Sequence, residues 1–337
     1  MDGKSQIAEH MPARFPYSWE LDGDSVSLGQ VAEVFKIIRQ EGFLIHMVPN
    51  AVSAAFCADG LAALGARPLM AVEPEEMGEI VAQADGCVVN LGQLSQKKLA
   101  AARLALQFAA DGNKPLVLDP VGCGASSFRL GAVQELLSFP WKGIVKGNRS
   151  EIYSIQQKAL TREGVDSLEH RRLTGKVKAG CTYLVTGEPD CILWEGGRLE
   201  ISHKDAFCHS TESSGGLGTG NVEPKGIPCQ SAKSSSGVGV QRDMGPKGPF
   251  RQNVVGSGCL AGAVAGACCS AASAMGADSR LAAISASLGM AFALEQASAA
   301  KGYGAAKSTI LDSLCLLRED CFWEWLSGRA RKPSTSE

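Results

Sequence analysis

Short β-like runs alternate with helical segments along most of this chain, and no other feature of the sequence restricts the fold as strongly. Phe43–Met47 (FLIHM), Cys87–Leu91 (CVVNL), Pro115–Leu118, Gly143–Val145, Thr182–Val185 and Ile192–Trp194 each read as a strand. Val52–Leu64 and Leu99–Ala110 read as helices between them. Glu73-Pro74-Glu75-Glu76 opens another helix, with acids in the first turn where the helix dipole favours them. After residue 258 almost everything reads as helix, to about Ser327. Such alternation implies parallel βαβ units and a sheet covered on both faces, which is the α/β class. Ligands on such sheets bind at the carboxyl ends of the strands. Those ends are therefore where chemistry is expected.

One stretch breaks the pattern. From about His203 to Asn253 the chain is rich in Gly, Ser, Pro and Lys, with little periodicity. A structureless loop of that length is unusual inside a compact domain, and the composition suits a solvated, disordered insertion. It contains Gly215-Gly216-Leu217-Gly218-Thr219-Gly220, which has the look of a phosphate loop. No strong strand precedes that run and no helix follows it, so it reads as flexible linker. The expected organisation is a poorly ordered extension over 1–28, one domain formed by 29–202 with 254–328, the insertion 203–253, and a tail 329–337.

Net charge is −2 over 337 residues, so no basic field points to nucleic acid or to an anionic membrane surface. The N-terminal segment has no apolar h-region, and no secretory signal is expected. The longest apolar stretch, Cys259 to Met275, consists mostly of Ala, Gly, Ser and Cys, and reads as a buried helix rather than a membrane span. The twelve cysteines form no CxxC pair and no Cys/His cluster with metal-ligand spacing. Cys87, Cys181 and Cys191 sit in apolar runs as small hydrophobes, which fits a reducing, cytoplasmic setting.

Three motifs follow strands. In Val255-Gly256-Ser257-Gly258-Cys259, two glycines lead into a long helix. Glycines let the backbone approach an anion, and the free N–H groups of the first turn then point at it. Gly256, Ser257 and Gly258 form a candidate phosphate loop; a plain tight turn is the alternative. Cys259 falls at the helix N-terminus, where a thiol ionises more readily and can accept the proton of a substrate alcohol. A buried cap-region cysteine would look the same. In Lys146-Gly147-Asn148-Arg149-Ser150-Glu151, Asn148 and Glu151 can cap a helix reciprocally, or Glu151 can serve Mg²⁺ while Lys146 meets nucleotide phosphates. In Leu118-Asp119-Pro120-Val121-Gly122, Asp119 is either a turn opener or a second carboxylate for the metal.

Taken together these motifs resemble the hydroxyethylthiazole kinase family. The resemblance runs from about 43 to 202 and resumes from 254 to about 318. It is carried by Asp59-Gly60-Leu61-Ala62-Ala63-Leu64-Gly65-Ala66-Arg67-Pro68, Pro74-Glu75-Glu76, Val89-Asn90-Leu91-Gly92 and Asp119-Pro120-Val121-Gly122. Gly147-Asn148-x-Ser150-Glu151-Ile152, Gly164-Val165-Asp166-Ser167, Val185-Thr186-Gly187 and Gly256-x-Gly258-Cys259 complete it. It implies a ribokinase-like three-layer α/β/α fold with a central, mostly parallel sheet. It further implies ATP-dependent phosphorylation of the alcohol of 4-methyl-5-(2-hydroxyethyl)thiazole with Mg²⁺, in a homotrimer whose active sites lie between subunits. By position, Cys259 resembles the catalytic residue, Gly256 a substrate contact, and Lys146 and Thr186 ATP contacts, with Asn148 beside them. Asp119 and Glu151 resemble the acids near metal and phosphates. The family's first helix commonly opens TNxVxxNxxAN, whereas this chain reads Pro49-Asn50-Ala51-Val52-Ser53-Ala54-Ala55-Phe56-Cys57-Ala58-Asp59. Ala54 thus stands at the expected thiazole contact, and Ala55 replaces an Asn. Val255 stands where Thr is usual, and Lys146 where Arg is common; Lys keeps the charge without the bidentate fork.

Overall fold

A computed structural model of the chain describes residues 18–21, 24–161, 173–202, 254–317 and 320–330. The Gly215–Gly220 run, the rest of the 203–253 insertion, the Gly164–Ser167 motif and residues 331–337 lie outside these described residues.

The strands are β1 (Ser18–Leu21), β2 (Asp24–Ser27), β3 (Leu44–Val48), β4 (Arg67–Leu69), β5 (Gly86–Asn90), β6 (Leu116–Asp119), β7 (Gly143–Asn148), β8 (Cys181–Thr186), β9 (Asp190–Trp194) and β10 (Gly197–Ile201). The helices are α1 (Leu28–Glu41), α2 (Ala54–Leu64), α3 (Met77–Gln83), α4 (Gln96–Asp111), α5 (Ser127–Ser138), α6 (Arg149–Gln157), α7 (Ser257–Ala274), α8 (Ser279–Ser298), α9 (Tyr303–Cys315) and α10 (Asp320–Ala330). Eight strands form one sheet in the order β10-β9-β8-β7-β6-β5-β3-β4. β4 through β8 run parallel along it, and β9 and β10 continue antiparallel. The expected mostly parallel sheet is what the chain builds.

Alternate strand residues feed two separate cores. Ile45, Met47, Val88, Val117, Ile144 and Leu184 pack under α1, α2 and α7–α10. Val48, Val89, Leu118, Val145 and Val185 pack under α3–α6. With both faces buried, the strands read as apolar runs rather than as alternating ones. The result is three layers, helix on sheet on helix.

Within the stretch assigned to an N-terminal extension, β1 and β2 pair as an antiparallel ribbon with Ser18 opposite Ser27. Trp19, Leu21 and Val26 are buried and join the first core, so this part of the extension is anchored by its apolar side chains. Ser27 then starts α1 with a capping box shared with Gln30, and Gly42 ends it in the left-handed region at φ 59°.

Helix α7 sets the geometry of the site. All its residues from Cys259 to Ala272 are buried. α7 and α8 are each long and apolar enough to cross a membrane, but 78% of each apolar window is buried against the rest of the fold, as in core helices. Small residues let α7 lie close to the sheet. A methyl on Gly266 would overlap Cγ2 of Val88 in β5, and one on Gly262 would stand 3.1 Å from Oδ2 of Asp119 at the end of β6.

Candidate active site

In the sheet order, β3 lies between β4 and β5, so the chain reverses its direction of travel across the sheet there. The crevice at the carboxyl ends of β3 and β5 is the topological switch point, where ligands bind in open α/β sheets. Asn50 follows β3, Asn90 ends β5, Asp119 ends β6 and Lys146 lies near the end of β7. The first turn of α7 comes down onto these ends.

The glycine loop is built as its sequence suggests. Gly256 is the N-cap of α7 at φ 90°, a backbone region that L side chains rarely adopt, and a methyl there would also press on Ser53 Cβ at 3.0 Å. The N–H of Ser257 donates to Val254 O at 3.0 Å and that of Leu260 to Gly256 O at 2.8 Å. Among the described residues, the N–H groups of Gly258 and Cys259 meet no backbone acceptor outside the helix, as befits the first turn. A methyl on Gly258 would lie 3.5 Å from Lys146 Nζ, so the ammonium sits beside this turn.

Lys146 Nζ is 3.4 Å from Asp119 Oδ1, and both residues are buried. Asp119 Oδ2 accepts from Asn90 Nδ2 at 2.8 Å. Burial pushes the Asp119 carboxyl up to about 7 against the pull of Lys146, and the charge of Glu151 pushes the same way. Burial works against the Lys146 ammonium, but the charges of Asp119 and Glu151 outweigh it and hold its pKa above the ordinary value.

Glu151 and Asn148 form the reciprocal cap foreseen as one alternative. Asn148 Oδ1 accepts from Glu151 N, and Glu151 Oε2 accepts from Asn148 N, each at 2.8 Å. Glu151 Oε1 also accepts from Gly122 N at 2.8 Å, which ties the loop after β6 to α6. Thr186 lies opposite Asn148 in the β7–β8 register, and its Oγ1 reaches Gly147 O at 3.4 Å. Lys146, Asn148 and Thr186 therefore occupy adjacent strand ends, as the sequence suggested. Ala54 opens α2 half-buried and Ala55 is exposed, next to the Ser53 that abuts Gly256.

Several residues at this site carried no role in the sequence. Asn50 Nδ2 points at Cys259 Sγ at 3.8 Å. Gly92 donates to Asn90 Oδ1 at 2.9 Å and accepts from Lys98 Nζ at 2.5 Å. Arg129 donates to Leu91 O at 3.3 Å and to Val121 O at 3.2 Å, joining the loops after β5 and β6. Burial holds the Lys98 ammonium down to about 8; Cys259 and Asp119 pull it up and Arg129 pushes it down. Asn90 was legible as a polar residue closing an apolar strand. Lys98 was not, because the run Gln96-Lys97-Lys98 reads as a solvated helix start. A separate cleft of about 250 Å³, lined by Lys114, Trp141 and Ser279 among others, opens at the amino ends of β6–β8, away from all of these residues.

A model of the hydroxyethylthiazole kinase family matches residues 35–320. The chain belongs to this family. It is 38% identical over 161 residues to the hydroxyethylthiazole kinase of Listeria monocytogenes, covering 46% of this chain and 60% of that one. To that of Haemophilus influenzae it is 37% identical over 161 residues, covering 46% and 61%. To that of Exiguobacterium sp. it is 34% identical over 189 residues, covering 54% and 71%. The matched stretch thus spans about three-fifths of the first two relatives. A solved hydroxyethylthiazole kinase protein from Pyrococcus horikoshii superposes with TM-score 0.65 at 25% identity, covering 87% of this chain and 95% of that one.

Proposed function

We propose that this chain transfers the γ-phosphoryl group of ATP to the hydroxyl of 4-methyl-5-(2-hydroxyethyl)thiazole, as a thiamine-salvage enzyme. The observation that carries this reading is the convergence of the α7 N-terminus, the Lys146–Asp119 pair and the Asn50–Cys259 contact at the switch point, in a chain of this family. Phosphoryl transfer needs little covalent help from the protein; it needs positioning and stabilisation of charge. The N–H groups of Gly258 and Cys259 suit the oxygens of the transferring group, aided by the helix dipole. Lys146, Thr186 and Asn148 line the nucleotide side. Ala54 and Gly256 line the acceptor side. Cys259 Sγ takes the hydroxyl proton as the alcohol oxygen attacks phosphorus and the bond to the ADP oxygen breaks.

The donor set also suits Mg²⁺. Asp119 and Glu151 are two buried carboxylates whose fields act on one another, hard oxygen donors of the kind a hydrated divalent cation takes. Among the described residues no group of three or more His, Cys, Asp or Glu side chains forms a ready-made cage. Mg²⁺ is usually held by one or two carboxylates together with substrate phosphates. When bound it would neutralise charge on the phosphates. Asp119 and Glu151 would hold it, directly or through its waters.

The small side chains of Ala54 and Ala55 favour a second reading, in which the same apparatus serves another heteroaromatic alcohol such as hydroxymethylpyrimidine, or binds thiazole or nucleotide with little turnover. We read the working form as a soluble homotrimer. The test is ADP release with Mg²⁺ and ATP against a panel of thiazole and pyrimidine alcohols. Stimulation by the hydroxyethylthiazole supports the proposal. Stimulation only by another alcohol replaces the substrate, and no turnover with any of them refutes the enzyme reading.

A further inference from the structure

We infer that Asn50, held in place by Gly92, is the residue that positions and sustains Cys259 as a proton acceptor. The inference rests on the proposed role of Cys259 and adds the group through which that role is set. Asn50 is buried, and its carboxamide is oriented by the backbone two residues on. Oδ1 accepts from Val52 N at 3.1 Å, which leaves Nδ2 as the face turned to Cys259 Sγ at 3.8 Å. Sulfur is a weak acceptor as a thiol, while a charged partner makes a hydrogen bond stronger. A fixed N–H donor aimed at Sγ therefore fixes where that sulfur sits, whatever proton it carries.

Gly92 supplies the rigidity. A methyl at this position would stand 2.7 Å from Asn50 Cγ and 3.1 Å from its Cβ, so the carboxamide rests directly against the glycine. Gly92 is itself clamped, by donation to Asn90 Oδ1 and acceptance from Lys98 Nζ. Asn90 in turn donates to Asp119. The acceptor side of the site and the buried ion pair thus share one support, anchored on the strands that flank the switch point. The fields of Cys57 from α2, Lys98 from α4 and Lys146 from β7 reach Cys259, and those of Glu151 from α6, Lys98 and Lys146 reach Asp119. Burial pushes the Cys57 thiol up to about 12, so it stays neutral across the working range.

Asn50→Asp gives the discriminating variant. Asp keeps an oxygen for Val52 N–H and replaces the donor facing sulfur with an acceptor. The measurements are the pH dependence of kcat and of iodoacetamide alkylation at Cys259, followed peptide by peptide by mass spectrometry. Asn50→Asp should slow kcat by about 10- to 100-fold, the scale of losing one hydrogen bond to a charged group. It should also slow the alkylation of Cys259 at a given pH while the KM for ATP stays put. Gly92→Ala should move both readouts in the same direction, since it displaces the carboxamide while Asn50 itself is unchanged. Wild-type alkylation and turnover in Asn50→Asp would show that Asn50 serves only its local turn, and would overturn the inference. The alkylation rate is measured without substrate. It therefore stands or falls separately from the thiazole assignment, and a fully active Cys259→Ala would count against the base role instead. Should Asn50→Asp fail to fold, Gly92→Ala decides by the same two readouts.

Discussion

Gly266→Ala tests whether close seating of α7 on the sheet is what builds the site. The new methyl would overlap Cγ2 of Val88 by about 1 Å or more, judged against the ~3.5–4.0 Å optimum for carbon atoms. Ile45 Cγ2 would lie only 3.5 Å from the same methyl, which leaves it little room to shift. Val88 is fully buried in a central strand, and a β-branched side chain has few rotamers to escape into. Overpacking of this kind costs ~1–3 kcal/mol. Replacing Gly by Ala inside a helix returns up to ~1 kcal/mol of propensity. The net expectation is a loss of about 1–2 kcal/mol, read by urea or thermal unfolding. The proposed kinase activity should fall as well, because a lifted α7 carries the Gly256–Cys259 turn with it. Val88→Ala creates room for the methyl, so in the double variant the two costs should fall short of additivity by about 0.5–3 kcal/mol. A Gly266→Ala protein as stable as wild type, or strictly additive costs in the double variant, would refute the packing argument.

Lys146→Met should destabilise the fold by about 3–5 kcal/mol, because it strands a buried carboxylate, and should abolish turnover; denaturation at pH 7 checks the first and ADP release the second. Lys98 has its pKa lowered in the folded state, so the unfolded chain binds more protons between about pH 8 and the ordinary lysine range, and this group's share of stability rises with pH there. Wild type should gain stability relative to Lys98→Met over that window, and parallel curves would remove the claim. Ser27→Ala breaks the α1 capping box and should cost about 1 kcal/mol by chemical denaturation. EDTA should stop ADP release and added Mg²⁺ should restore it; activity that survives chelation would dismiss the metal role of Asp119 and Glu151.

The strands at the centre of the sheet were plain in the sequence because burial on both faces makes them uninterrupted apolar runs. The elements that escaped were those with weaker or conflicting signals. β4 is three residues long and contains Pro68, which an edge strand tolerates. β10 is a short antiparallel edge strand, and α5 carries Gly131 and little amphipathic pattern. α1 also lay outside the predicted elements, although Ser27, Gln30 and Gly42 write both of its ends into the sequence. At the site, residues on glycine-rich or strand-end motifs could be found by position along the chain. Asn50 could not be paired with Cys259 in that way. The two are 209 residues apart and meet only once α7 is laid across the switch point.

That separation has a consequence for assembly. The sheet strands from β3 to β10 precede α7 in the chain, yet α7 packs at the middle of the sheet, against β5 and β6, and not beside the edge strand it follows. Contacts that close such long stretches of chain form slowly. An emerging polypeptide can therefore lay down Asn50, Asp119 and Lys146 well before the segment bearing Cys259 arrives. The candidate site is then completed only when α7 docks, so the appearance of the proposed activity during refolding should time the arrival of α7 and not the formation of the sheet.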